Sequence, residues 1–331
     1  MGPPLAWHKG TAGVGPHRWI GAVFSVRPTA EAPDAVRAIV GAVAHYVVVA
    51  VPDDFAAAPS ADLELFTPGT GHVSDADVQR TIGRCGRLSY LVPAVRPFVA
   101  AMWGALAAAE TTARRGRREA PPGRHAARRF QIAARWLYVL LNPPPRVEPW
   151  LPLEHVVSEN LQQISLETAS RIEVDASPWG GGGILFEQGR PTEYWTIAWK
   201  QQDAMELNTE IGQPAGQTSW ELLALLVSLI LWGRRHRARG LALLGDNLAS
   251  LESALHLRGR GVLSRIAREL SWRRTREGWR YVVGHLPTER NKLADALSRL
   301  AAPATEHRIL PPELEAARAQ DAPEIATIWT L

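Results

Sequence analysis

Apolar and polar positions alternate from His17 to Arg27 around Gly21, the pattern of a strand pair or a bulged strand. Between Asp34 and Val51 alanines mix with valines, and neither the helical nor the strand period prevails. Asp75 to Ala108 has helical spacing in two stretches. Ser74 or Asp75 can act as the N-cap of the first, and the Arg96-Pro97 step marks a break or a helix start. The Arg/Gly/Pro-rich segment from Ala113 to His125 reads as an exposed linker. An apolar helix follows from Ala126 to Leu141 and stops at Asn142-Pro-Pro-Pro, the sharpest boundary in the chain.

Beyond that boundary the periods mix. Arg171 to Asp175 alternates as a strand, Trp179-Gly-Gly-Gly-Gly makes a turn, and Ile184 to Phe186 begins a partner strand. Glu193 to Ala198 is the third strand of an antiparallel meander. Gly216-Gln-Thr-Ser219 supplies the N-cap for an apolar helix from Trp220 to Trp232, whose basic tail from Arg234 suits the C-terminal dipole. Leu241 to Gly245 is a buried-type strand, Asn247–Leu257 and Val262–Arg273 are helical, Trp279–Val283 is a last strand and Asn291–Leu300 a last helix. The order βββ-α-β-α-α-β-α predicts a mixed sheet with helices packed on it.

Composition narrows the class. The 331 residues are 46% apolar and 21% charged, which suits about two folded domains and excludes wholesale disorder, collagen and coiled coil. A single cysteine, Cys85, excludes a disulfide framework and thiolate zinc sites, so any metal is held by carboxylates or histidines. The longest apolar run, Ala38 to Val51, is too short to span a bilayer, and the first residues lack an apolar signal core. Cytoplasm or nucleus is the expected location, with no membrane partner. Net charge is only +4, yet eight arginines lie between Thr111 and Trp136 against Glu119 alone. Eight more lie between Leu257 and Tyr281 against Glu269 and Glu277. Two such clusters point to a polyanion.

Four carboxylates stand at telling places on this scaffold. Asp175 is in or at the end of the first strand, Glu221 in the first turn of the apolar helix, Asp246 at the end of the fourth strand and Asp295 within the last helix. A charge that ends an apolar strand is costly unless it is paired or metal-bound. Clustered oxygen ligands without thiolates are what Mg²⁺ or Mn²⁺ prefers, and two such ions can serve phosphodiester hydrolysis. The chain has no Gly-x-x-x-x-Gly-Lys phosphate loop, no His-Glu-x-x-His and no Gly-x-Ser-x-Gly, so the signatures of nucleotide hydrolases, zinc proteases and serine esterases are missing.

The blocks Val174-Asp-Ala-Ser177 with Trp179-Gly-Gly-Gly-Gly, Ser219-Trp-Glu-Leu-Leu-Ala-Leu225, Gly245-Asp-Asn-Leu-Ala-Ser-Leu251 and His285-Leu-Pro-Thr-Glu-Arg-Asn-Lys-Leu-Ala-Asp-Ala-Leu-Ser-Arg299 carry a family resemblance. From Ser170 to Pro303 the chain resembles the type 1 ribonuclease H domain of retrotransposon reverse transcriptases, DIRS-like or gypsy-like. The resemblance implies a ribonuclease H-like α/β fold with a mixed five-stranded sheet and flanking helices. It also implies two Mg²⁺ ions, or Mn²⁺ as a substitute, on Asp175, Glu221, Asp246 and Asp295, with His285 assisting product release or proton transfer. Ser177 and Asn247, beside the ligands, are candidate contacts to the substrate backbone, and Asn291 is a candidate substrate-binding or loop-ordering residue. The family often has glycine where this chain has Thr288, which implies a stiffer loop.

Trp19-Ile-Gly21 looks like the hairpin that follows a reverse transcriptase palm, and Gly83 to Phe98 looks like its thumb. No Tyr-X-Asp-Asp motif is present, so no polymerase activity is expected. The implied organisation is a palm-end hairpin over 1–28, a mostly helical thumb-like domain over 29–110, a basic, Pro-rich connection over 111–165, the ribonuclease H-like domain over 166–303 and a tail over 304–331. The expected function is metal-dependent endonucleolytic hydrolysis of the RNA strand of RNA/DNA hybrids, by the ribonuclease H part of a reverse transcriptase without its polymerase site. The alternative is a catalytically inactive, retroelement-derived nucleic-acid-binding protein.

Overall fold

The computed structural model describes residues 16–19, 22–32, 36–37, 40, 43–142, 154–157, 170–236, 240–304 and 309–329. The predicted N-terminal hairpin is formed by β1 (His17–Trp19) and β2 (Ala22–Pro28). The ambiguous run from Asp34 to Val51 divides: residues 36, 37 and 40 are helical, and β3 (His45–Ala50) follows, where β-branched side chains suit a half-buried sheet. Helices α1 (Asp53–Leu63), α2 (Asp75–Leu91) and α3 (Arg96–Arg114) follow, with β4 (His72–Ser74) ahead of α2. The Ser74 hydroxyl accepts from the Asp77 amide and caps α2, as its sequence position predicts. Strand β5 (Arg124–Ala126) pairs with β4, and α4 (Gln131–Leu141) closes this helical unit.

Two expected boundaries need correction. Strand β6 (Glu154–Val157) pairs with β3, so the sheet order is β1-β2-β3-β6 and the 1–28 hairpin shares one sheet with residues assigned to the thumb-like and connecting regions. Helix α4 packs in one core with α1, α2 and α3, where Phe98 stacks on Trp136 at 3.6 Å. Most of 111–142 therefore belongs to the helical unit; only the turn around residues 115–123 is the exposed linker expected. The proline run that follows Asn142 lies outside the described residues. Cys85 is fully buried in this core, and burial pushes its thiol up to about 12, which makes it inert.

The second unit is a mixed α/β fold. Strands β7 (Ser170–Ala176), β8 (Gly180–Glu187) and β9 (Arg190–Ala198) form the antiparallel meander. After the short α5 (Gln201–Glu206) come α6 (Gln217–Trp232), β10 (Leu241–Gly245), α7 (Leu248–His256), α8 (Val262–Glu277), β11 (Tyr281–His285) and α9 (Lys292–Arg299). β10 runs parallel to both β7 and β11. The sheet has six strands where five were expected, in the order β11-β10-β7-β8-β9-β12. The sixth is β12 (Arg318–Ala319), parallel to β9, and Ile325 and Ile328 enter the main core. Residues 309–329, expected to be a tail, are thus built into the fold.

Helix α6 covers one face of this sheet and is apolar nearly all round, as a helix enclosed by a sheet and two further helices must be. Among the described residues, Pro214–Trp232 is long and apolar enough to cross a membrane by length and composition, and here it lies mostly buried in the core of this unit. Residues Gly216 to Ser219 do not provide a side-chain cap: the helix already opens at Gln217, led in by a 3-10 turn, Pro214–Gly216.

The four glycines do not make the predicted turn. Ser177, Pro178 and Trp179 turn the chain, while Gly180 to Gly183 are strand residues. Their role is close approach from both faces. A Cβ on Gly181 or Gly183 would collide with Trp199 or Trp195 on the α6 side, and one on Gly182 would sit 2.4 Å from the Leu297 Cβ of α9. Helix α9 is thereby brought against the second face of the sheet.

Candidate active site

Strand alternation sorts β7 into two faces. Ile172, Val174 and Ala176 enter the core under α6, while Glu173 and Asp175 point to the α9 side. Parallel pairing then matters, because parallel neighbours end at the same side of a sheet. Leu244 of β10 is in register with Glu173, so Asp246, two residues on, emerges beside Asp175. Glu221, one turn into α6, arrives from the opposite face where the strands end.

The result is a group of three carboxylates, Asp175, Glu221 and Asp246, whose ligand oxygens lie within 4.8 Å of one another. They line a cavity of about 450 Å³ with Ser177, Asn247, Thr288, Asp295 and Arg299 among the other wall residues. Asp295 reaches this wall from α9, but its Oδ1 accepts from Arg299 Nε at 2.7 Å and pairs with Nη2 of the same guanidinium at 2.7 Å. His285 ends β11 in register with Gly245; it is exposed and is not among the residues lining the cavity.

Each of the three carboxylates accepts from a polar side chain. The Ser298 hydroxyl donates to Asp175 Oδ2 at 2.6 Å, Gln217 Nε2 donates to Glu221 Oε1 at 3.0 Å, and the Thr288 hydroxyl donates to Asp246 Oδ2 at 2.9 Å. Gln217 also donates to the Ala176 carbonyl. None of these roles was read from the sequence. Gln217 precedes Glu221 by four positions, while Ser298 and Arg299 follow Asp295 by three and four, so helical neighbour spacing was the available signal. Thr288 carries no comparable local signal.

The remaining candidates have structural duties. Ser177 is buried: its hydroxyl donates to the Ser298 carbonyl at 2.7 Å and accepts from the amides of Trp179 and Gly180. Asn247 caps α7 through the Ser250 amide while lining the cavity. Asn291, a candidate substrate contact, is fully buried at the start of α9 and donates to the Val174 carbonyl, which ties the helix to β7.

The charge balance of the cavity is one-sided. Burial pushes Asp175 up to about 7; the Ser298 hydrogen bond offsets part of that rise, while Asp246 and Asp295 add to it. Glu221 is driven well above the carboxylate range, again first by burial and then by Asp175 and Asp246. Arg299 is the single cationic side chain on the described wall. Three mutually repelling carboxylates without thiol or imidazole partners form a donor set that fits a hard divalent cation.

A pH dependence results. An acid whose pKa is higher folded than unfolded keeps its proton in the fold, so its contribution is complete below the unfolded value and is lost as pH rises through the folded value. Glu193 has the opposite sign: chiefly through Arg235 it is lowered to about 2, and its contribution is complete above its ordinary value of 4.5. In chelator, the unfolding temperature is expected to fall between about pH 5 and 7.5, by roughly 2–4 °C for each kcal/mol, and Mg²⁺ should reverse the fall. A flat melting profile by circular dichroism over that range would contradict the protonated cluster.

No family model matches this chain, and no curated protein matches it. Among solved structures, ribonuclease H1 from the halophilic archaeon Halobacterium salinarum NRC-1 aligns with 40% of this chain and 94% of its own, at 16% identity and a TM-score of 0.27. A likeness of that size carries no weight in assigning a function.

Proposed function

We propose that the protein is a metal-dependent nuclease that hydrolyses the RNA strand of RNA/DNA hybrids, as the ribonuclease H part of a retroelement reverse transcriptase. The observation that carries the reading is the convergence of Asp175, Glu221 and Asp246 at one end of a mixed sheet, with ligand oxygens within 4.8 Å of one another. The four sequence blocks that resemble retroelement ribonuclease H domains supply the choice of substrate.

In this reading Asp175, Glu221 and Asp246 hold Mg²⁺ or Mn²⁺, and Asp295 is the fourth ligand of a two-ion site. Ions bound there would supply Lewis acidity and a nucleophile at neutral pH. The chain's own contribution is positioning. Ser298, Gln217 and Thr288 fix the carboxylate orientations, and a rigid donor set costs less to organise when substrate arrives. His285, exposed at the end of β11, would in this reading exchange protons with solvent or help product leave. Hybrid recognition would come from 2′-hydroxyl contacts in the minor groove, with the helical unit as a thumb-like grip on the duplex.

The charge distribution favours a nucleic-acid partner. Where α3 meets α8, Arg96 is disfavoured as a cation by burial and then by the neighbouring charges of Arg258 and Arg274, a concentration of positive charge that a phosphate backbone relieves. The two units are joined there by the Ser271 hydroxyl donating to the Ala94 carbonyl at 2.7 Å and by the edge-to-face pair Trp136 and Trp272.

The test is cleavage of an end-labelled RNA/DNA hybrid with Mg²⁺, with Mn²⁺ and with chelator. Metal-dependent cutting confined to the RNA strand is expected. Hybrid binding without cutting by folded protein would instead establish the inactive nucleic-acid-binding alternative.

A further inference from the structure

The tight group of ligand oxygens comprises three carboxylates, while the fourth, Asp295, is engaged elsewhere on the same cavity wall. Both Nε and Nη2 of Arg299 converge on one oxygen of Asp295, Oδ1, one helical turn away on α9. Arg299 is also the sole cation on the described wall, and its side chain is 42% exposed. A guanidinium in that position does two things at once. It neutralises Asp295, and it adds a positive charge to the wall of the cavity that the three carboxylates line.

We infer that Arg299 is a latch on the ion site: it withholds Asp295 from incoming cations and releases it when a substrate phosphodiester becomes the guanidinium's partner. The inference rests on the nuclease reading for the identity of that anion. Its physical basis is competition. A carboxylate oxygen held by a guanidinium must give up a charge-assisted pair before it can ligate an ion, and a planar guanidinium donates to a phosphate as readily as to a carboxylate. The exchange needs no rearrangement of the fold, because the last turn of α9 stays fixed by Ser298, whose hydroxyl bonds Asp175 and whose carbonyl accepts from Ser177. The consequence is coupling. Free protein takes up its ions weakly, and substrate completes the site it needs, so metal and nucleic acid each tighten the binding of the other.

Two measurements on the full chain test this without relying on turnover. The first is Mn²⁺ binding to the free protein, followed by electron paramagnetic resonance, for wild type, Arg299→Gln and Asp246→Asn. Arg299→Gln is expected to bind Mn²⁺ about fivefold more tightly, because it removes both the competitor for Asp295 and a repelling charge. The second is the salt dependence of binding to an RNA/DNA hybrid in chelator. Loss of one phosphate contact should lower the slope of log affinity against log salt by about 1 in Arg299→Gln.

Unchanged or weaker Mn²⁺ binding by Arg299→Gln overturns the latch, and so does an unchanged salt slope. Since the side chain is partly in solvent, the variant is expected to fold; Arg299→Lys, which keeps the charge without the fork, is the second probe and should fall between the two in Mn²⁺ affinity. Failure of the nuclease reading is seen separately. A wild-type protein that binds Mn²⁺ through Asp246 and shows the Arg299 effect but cuts no hybrid keeps the latch and loses the nuclease.

Discussion

Asp246→Asn is expected to abolish hybrid cleavage while making the metal-free protein more stable. The activity loss follows from removing one of three converging ligands: if ions bound there supply about 4 kcal/mol of transition-state stabilisation, cleavage drops roughly 10³-fold or more. The stability gain has the opposite sign because Asp246 helps to raise the pKa of both Asp175 and Glu221 without an ion to balance it. Removing its charge relieves that repulsion, and about 1 kcal/mol of relief would raise the unfolding temperature in chelator by roughly 2–4 °C. Asparagine retains a carbonyl oxygen that can accept the Thr288 hydrogen bond, so the loop over the strand end should remain in place. Labelled-hybrid cleavage and melting in chelator, run on the same preparation, check both signs. Wild-type cleavage rates would remove Asp246 from the site, and a lower melting temperature would show that its charge is compensated in the apo protein.

Gly182→Ala should destabilise the α/β unit strongly. The new Cβ would lie 2.4 Å from the Leu297 Cβ, 3.0 Å from its carbonyl carbon and 3.1 Å from the Ser298 amide nitrogen. Two of those three neighbours are helix backbone, so no rotamer change can clear the contact and α9 must shift away from the sheet. Overpacking of this kind costs on the order of 3 kcal/mol, roughly 6–12 °C in unfolding temperature for a unit of this size. The displacement acts directly on the site, since α9 carries Asp295, Ser298 and Arg299. Cleavage is therefore expected to fall even at temperatures where circular dichroism shows the variant folded. A contrasting exchange is Gly189→Ala, in a β-turn with open space around it and a positive φ of 79°. It should lower stability through backbone strain of about 1 kcal/mol while leaving cleavage per folded molecule unchanged. Equal losses of activity in the two variants would mean that Gly182 has no link to the site beyond stability.

The α/β unit was legible in outline because its signals are local. Alternation in Arg171 to Asp175, the apolar run of α6 and the strand before Asp246 each declare themselves within a few residues, and Asp175 and Asp246 close apolar strands where an unpaired charge is costly. What escaped was long-range. The glycines read as a turn because a sequence shows flexibility more readily than the crowding that excludes a Cβ, and that crowding comes from Trp195, Trp199 and Leu297 on other elements. The two-residue β12 has no period to detect. The placement of α4 in the helical core depends on partners such as Phe98, more than thirty positions earlier. At the site, the carboxylates were visible as residue types, whereas the hydroxyls and amide that orient them were not: serine, threonine and glutamine are common surface residues, and only their contacts distinguish them here.

The pairing of β12 with β9 also constrains how the protein is made. Arg318 bonds the buried Glu193 from 125 positions further along the chain, and Arg235 and Trp232 complete the same carboxylate's partners. During synthesis β9 emerges long before the segment that covers its outer edge, so a nascent chain carries an open strand beside an incompletely paired buried acid. Until residue 319 has left the ribosome, that edge is available to other chains. Ribosome stalling or cleavage upstream of β12 should therefore yield fragments that aggregate through β9, a hazard concentrated in the interval between making the site's last helix and making the strand that seals its sheet.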